Sequence, residues 1–267
     1  MVRKPAVSGQ FYPGDSKTLG VMIDGLIPKE TAQVSAKAVI LPHAGYVYSG
    51  KVAVVTLSRV LPRKRLIMLG PNHTGIGPRF SLWSKGEWEI PFGKVKIDED
   101  LAEKILNAGS SIEADEMAHQ DEYSLEVQLP IFYRLFGEFS FVPIACQAAD
   151  LKTYRQAAEQ IVGGLKKIDQ EVLFVATTDL THYEPELVAR AKDRIAIAAM
   201  ISLDDEALIR EVEKNQITMC GVAPVAVLLG CLKTIGARKA GVCLYQTSGD
   251  SSSDYGSVVG YVGITIK

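Results

Sequence analysis

A chain of 267 residues with 47% hydrophobic residues, 22% charged residues and a formal net charge of −2 has the composition of an ordinary globular protein. The near-balanced charge, with no basic run interleaved with aromatics, argues against nucleic acid as a partner. A domain of this length buries roughly 70–75% of its unfolded surface and needs no disulfide staples. The four cysteines (Cys146, Cys220, Cys231, Cys243) show no C-x-x-C pair and no disulfide-framework spacing. They are expected to be reduced thiols in a cytoplasm, at least three of them inert in the core. The opening "MVRKPAVSGQFYPGD" has two early positive charges but no apolar segment after them, so no signal peptide is expected. No stretch reaches the ~18 apolar residues of a spanning helix, so no membrane partner is expected either.

Along the chain, apolar runs of strand length alternate with segments of helical period. Ala38 to Leu41 reads as a buried strand ending at Pro42-His43, and Leu66 to Leu69 as a second, ending at Gly70-Pro71-Asn72-His73. The stretch "RFSLWSKGEWEIPFGKVKID" reads as a hairpin region, after which Asp98 caps a helix to about Ala108. "SLEVQLPIFYRLFG" starts at Ser124 and carries Leu125, Leu129, Phe132 and Phe136 at helical spacing, with Gly137 as a stop. Pro130 inside it predicts a kink or a late start. "FSFVPIAC" is a third strand, "TYRQAAEQIVGGLKKI" (153–168) a helix, and "EVLFVATTDLTH" a fourth strand leading into a polar loop. Helices follow over 185–201 and 204–214, then a largely buried one in "CGVAPVAVLLGCLKTIG". "AGVCLYQTS" and "SVVGYVGITI" close the chain as strands around the loop "GDSSSDYG". The pattern implies one α/β domain over 1–267, with a mostly parallel sheet covered on both faces and an antiparallel edge from the final hairpin.

In such a sheet ligands bind in the crevice outside the carboxyl ends of the strands. Three of the four histidines, His43, His73 and His182, stand at or within a few residues of such an end, and Asp179 shares the loop of His182. If these strands are neighbours, three imidazoles and a carboxylate converge. Two histidines with one anionic ligand leave coordination positions open, which suits iron(II) and dioxygen chemistry, and the same set suits hydrolytic zinc. Spacing does not choose between them. His119, in "DEMAHQDEYSLE", reads as a rim residue or one without a role. The glycines of "PHAGYVYSG" and "GPNHTGIGP" form neither a P-loop nor a dinucleotide fingerprint, no G-x-S-x-G elbow occurs, and "TSGDSSSDYG" reads as a turn. Cys220, just before an apolar helix, reads as a core residue whose position at a helix start would lower its pKa.

The blocks "AVSGQFYPGD", "LPHAGYVYSG", "LGPNHTG", "DEYSLEVQLP", "TTDLTHY", "MCGVAP" and "YQTSGD" occur in the order found in the Memo family, also called AmmeMemoRadiSam system protein B. The chain resembles that family from end to end. The resemblance implies a fold like that of the class III extradiol dioxygenases, a three-layer αβα sandwich with a cleft at one edge of its sheet. It implies that His43, His73 and Cys220 hold a metal, iron(II) first with copper or zinc as alternatives. Asp179 and His182 would stand beside them as catalytic residues, His182 moving protons with Asp179 orienting it. In the related dioxygenases the ligands are two histidines and a glutamate, so the cysteine replaces the glutamate. One departure is Tyr123, where the family commonly has histidine; Tyr123 and Glu122 are expected to contact substrate. The resemblance leaves several readings: an iron-dependent redox enzyme, a non-catalytic protein binding a small molecule or an acidic or phosphorylated peptide tail, or a copper(I) buffer. The system name also implies partner proteins, among them a radical SAM protein.

Overall fold

The computed structural model describes residues 1–166 and 171–267. In chain order the elements are β1 (Val2–Arg3), α1 (Ser16–Leu26), β2 (Ala38–Leu41), α2 (Tyr46–Leu57) and β3 (Arg65–Pro71). Next come β4 (Phe80–Leu82), β5 (Glu87–Ile90), β6 (Gly93–Ile97), α3 (Glu99–Leu106), β7 (Glu113–Ala114), α4 (Leu129–Phe136) and β8 (Ser140–Cys146). The remainder is α5 (Leu151–Leu165), β9 (Val172–Thr177), β10 (His182–Glu184), α6 (Glu186–Ile201), α7 (Asp205–Lys214), α8 (Val222–Thr234), β11 (Ala240–Thr247), α9 (Gly249–Ser252) and β12 (Val258–Ile266). The expected helix over 153–168 is α5; its predicted last residues, 167 and 168, lie outside the described residues.

The sheet runs β1-β5-β6-β8-β3-β9-β2-β12-β10, with β11 also paired to β12. Its centre is parallel: β6, β8, β3, β9 and β2 all run the same way, while β12 is antiparallel to β2 and β11. Parallel central strands are buried on both faces, and their side chains alternate between two cores. Ile40, Ile67, Leu69, Val142, Ile144, Phe174 and Ala176 face one side, packed by α3, α5, α6, α7 and α8. Val39, Leu41, Leu66, Met68, Phe141, Leu173 and Val175 face the other, packed by α1, α2 and α4. The architecture is therefore helix–sheet–helix, as expected.

Local signals explain most boundaries. Asp98 caps α3 by accepting from the Leu101 amide, and Asp204 caps α7 by accepting from Glu206 and Ala207. Pro130 produces a late start: a 3-10 turn at Glu126–Gln128 precedes α4, and the proline falls in its first turn, where a missing N–H costs nothing. Within the predicted hairpin region only β5 and β6 pair with each other; β4 pairs instead with β8 and β7. The final hairpin forms as expected, but β12 is shared, its far end joining β2 and its start joining β10.

Candidate metal centre

The strands carrying the candidate residues are neighbours, in the order β3-β9-β2. Leu41 pairs with Thr177, and Leu69 with Ala176, so the three strands end nearly level. His43, His73 and Asp179 each stand two residues beyond their strand, and they meet. His43 is 1% exposed, and its amide donates to Asp179 Oδ1 at 2.8 Å. Its ring centroid lies 5.2 Å from that of His73. Burial lowers the His43 pKa to about 3, aided by the nearby His73, so this imidazole is neutral at physiological pH.

His73 is held from behind by Glu122, which is 2% exposed. Glu122 Oε2 accepts from the His73 amide, and Oε1 accepts from Nδ1 at 3.0 Å and from the Ser124 amide at 2.8 Å. That contact puts the proton on Nδ1 and leaves Nε2 free with its lone pair, the orientation a metal-ligating histidine takes when a carboxylate backs it. Burial pushes the Glu122 carboxyl up, but the hydrogen bond and charge of His73, with the Ser124 and His73 amides, outweigh it and hold it below its ordinary value. Gly70 makes the approach possible: a Cβ there would lie 2.6 Å from Ser124 Oγ and 2.8 Å from Leu125.

The third member comes from the start of α8. A ladder of bonds joins the loop after β9 to the segment before that helix. Cys220 Sγ accepts from the Asp179 amide at 3.3 Å, the Cys220 amide donates to Asp179 O, and the Gly221 amide donates to Thr178 Oγ1. Gly221 is needed for this contact, because a Cβ there would stand 2.4 Å from Thr177 O. Cys220 Sγ is thereby placed 3.2 Å from His43 Nε2. Two such ligands of one tetrahedral ion stand about 3.5 Å apart. The ligand atoms of His43, His73 and Cys220 all lie within 4.8 Å of one another. Burial, then the charge of Asp179, pushes the Cys220 thiol up rather than down, against the expectation from the helix start. A cation bound there would reverse that balance.

A family model described as "Memo-like protein" matches residues 3–265. The chain belongs to the Memo-like family. This Memo-like chain is 38% identical to a MEMO1 family protein of Methanopyrus kandleri, covering 100% of this chain and 99% of that protein. It is 41% identical to a MEMO1 family protein of Aquifex aeolicus over 98% of each. Among solved structures, an uncharacterized protein of Escherichia coli K12 matches with a TM-score of 0.54 over 86% of this chain and 99% of that one. At 10% identity that likeness concerns the fold alone.

Not every expected residue in the Memo-like chain faces the cleft. His182 Nδ1 lies 2.6 Å from Leu180 O and 2.8 Å from Thr218 O, so it must carry a proton, which leaves Nε2 as the ring nitrogen able to gain or lose one. These carbonyls orient His182, with Thr218 Oγ1 taking its amide, whereas Asp179 is engaged with the His43 amide. Burial raises the Asp179 pKa to about 6. Glu122, expected against substrate, is instead committed behind His73. Tyr123 stacks on His73 at 4.9 Å and 1° and lines a cleft of about 450 Å³ shared with Asp179 and His182. The serine-rich segment forms α9 and lines the same cleft through Ser248, Ser252 and Ser257. His119 belongs to the core: it is 0% exposed, flanked by Trp83 and Trp88, and bonded through Nε2 to Ser81 O. A larger hollow of about 610 Å³, lined by Arg79 and Gln160, contains none of the candidate residues. Sequence reasoning missed Thr218; its one signal is its place two residues before Cys220.

Proposed function

We propose that this Memo-like protein is metal-dependent and redox-active, with His43, His73 and Cys220 holding one ion at the edge of a cleft that takes a small molecule. The observation carrying the reading is the convergence of the three donor atoms within 4.8 Å, with Glu122 fixing the His73 tautomer as metal centres require. Two imidazoles and one cysteine sulfur suit iron(II), copper or zinc, and a three-ligand set leaves positions open for substrate. We favour iron(II), which when bound would supply one-electron and dioxygen chemistry that no side chain here provides.

The chain's own residues would do the rest. Tyr123 walls the cleft beside His73, and burial around His43 keeps that ring unprotonated. His182 Nε2 would take or give a proton, its ring fixed by the Leu180 and Thr218 carbonyls. Such proton transfer contributes about 10²–10⁴-fold in enzymes.

Metal analysis of protein purified without oxygen tests the reading. About one equivalent of iron is expected in the unaltered protein, falling to trace levels in Cys220→Ala and His73→Ala but retained in His182→Ala. No metal near stoichiometry, or full retention in Cys220→Ala, would overturn it. Copper(I) bound in preference to iron would replace the redox-enzyme reading with that of a copper-holding protein.

A further inference from the structure

The charges around the cleft bear on what enters it. Its walls include Phe11, Tyr48, Tyr123, Tyr183 and Tyr261. Its lining carries two carboxylates, the buried Asp179 and the exposed Asp254, while among the described lining residues none is Lys or Arg. An acidic or phosphorylated ligand is held most strongly where cationic forks or ammonium groups join hydroxyls and backbone N–H groups; the lining has serine hydroxyls and the start of α2, but its one candidate cation is His182. Aromatic walls beside a carboxylate are the surroundings in which organic cations are held, through cation–π attraction and a nearby countercharge. Asp254 keeps a free oxygen for this: Oδ1 accepts from the Gly256 amide, and no partner is seen for Oδ2 among the described residues.

The lining points to a substrate bearing an ammonium group on an apolar or aromatic body, and we propose that amines of this class are what the cleft selects. The proposal deepens the reading of the cleft as a small-molecule site, and its amine preference is measurable whether or not the neighbouring ligands hold iron. Asp254 would act as the specificity-determining residue, setting the sign of charge accepted, and Tyr48, half-exposed at the mouth, would contribute its ring.

Three probes of similar size but different charge test this: phenethylamine, 2-phenylethanol and 3-phenylpropionate. Their affinities are measured by calorimetry on the full-length protein, as purified and after zinc addition, with metal content determined in the same samples. Phenethylamine is expected to bind about tenfold tighter than the alcohol, and the carboxylate weakest, consistent with one partly exposed ion pair plus a cation–π contact. Asp254→Asn keeps the acceptor for Gly256 and should erase most of the amine's advantage while leaving the alcohol unchanged. Tyr48→Leu should weaken the amine more than the alcohol. Tightest binding of the carboxylate, an amine advantage unaltered by Asp254→Asn, or no binding of any probe at millimolar concentration would overturn the proposal. An amine preference in samples that take up no metal even after zinc addition would support this proposal and overturn the metal reading alone.

Discussion

Replacing Glu122 by glutamine separates a backing carboxylate from a merely space-filling one. Glu122 serves three N–H donors: the His73 amide on Oε2, and His73 Nδ1 with the Ser124 amide on Oε1. Glutamine has one acceptor oxygen. If its NH₂ takes the place of Oε2, it faces the His73 amide; if it takes the place of Oε1, it faces both other donors. Either way at least one buried donor is left unpaired, a loss of about 1–3 kcal/mol in stability. The substitution also removes the negative charge that fixes His73 with Nε2 free, and loss of such a backing group weakens metal binding by roughly 10–100-fold. Zinc affinity, measured by competition with a chromophoric chelator, should fall by that factor in Glu122→Gln. In Tyr123→Phe, which preserves the ring stacked on His73, it should stay within about twofold. Urea unfolding of the same proteins gives the stability change. If Glu122→Gln were destabilised yet bound zinc as tightly as the unaltered protein, the carboxylate would be holding the loop and not tuning the ligand.

Acid should destabilise the fold, because the unfolded chain protonates its histidines below about pH 6.5 while burial keeps His43 and His119 neutral down to about 3 and about 4. The folded state therefore binds fewer protons, and stability is lost as pH falls through that window. Asp179 works against this: with its pKa raised to about 6 from the ordinary 3.8, the folded carboxyl takes up its proton first and gains stability as pH falls. Asp179→Asn keeps an acceptor for the His43 amide and should make the acid loss steeper, read from urea midpoints between about pH 7 and pH 4; a flatter profile would count against the assignment. Arg3→Ala strands a buried Glu126, whose carboxylate pairs with Arg3 at 2.7 Å and also accepts from the Ala6 and Val7 amides and the Tyr12 hydroxyl. Unfolding free energy should drop by about 3–5 kcal/mol with zinc stoichiometry retained; a change below about 1 kcal/mol would show that water reaches the site.

The central strands were legible because parallel strands buried on both faces must be runs of Val, Ile and Leu, as in "AVIL" and "LIML". The positions of His43 and His73 followed from those strands. Helix α1, with Asp15 as cap and Leu19 and Ile23 on its inner face, carried the ordinary signals but was not predicted. Helix α2 was harder: it is apolar nearly all round and valine-rich, so periodicity is weak and propensity points toward strand. His119 was misplaced because its neighbours in sequence are charged, while the groups that bury it, Arg3, Trp83 and Trp88, are distant in the chain.

The same distinction runs through the centre itself. The atoms that would touch a metal come from three positions set by strand and helix ends, and a strand end is a local property that a sequence displays. What aims those atoms does not come from local pattern. Glu122 reaches His73 across 49 residues, Thr218 reaches His182 across 36, and Cys220 reaches His43 across 177. The meeting of His43 with His73 depends on the register of β3, β9 and β2, in which a slip of one residue would turn alternate side chains to the opposite face and carry one histidine away from the other. Gly70 and Gly221 are where that register becomes contact, since each lets a second segment close onto a strand end that a Cβ would hold off. The glycines in "LGPNHTG" and "MCGVAP" are therefore as much a part of the centre as the histidine and cysteine beside them.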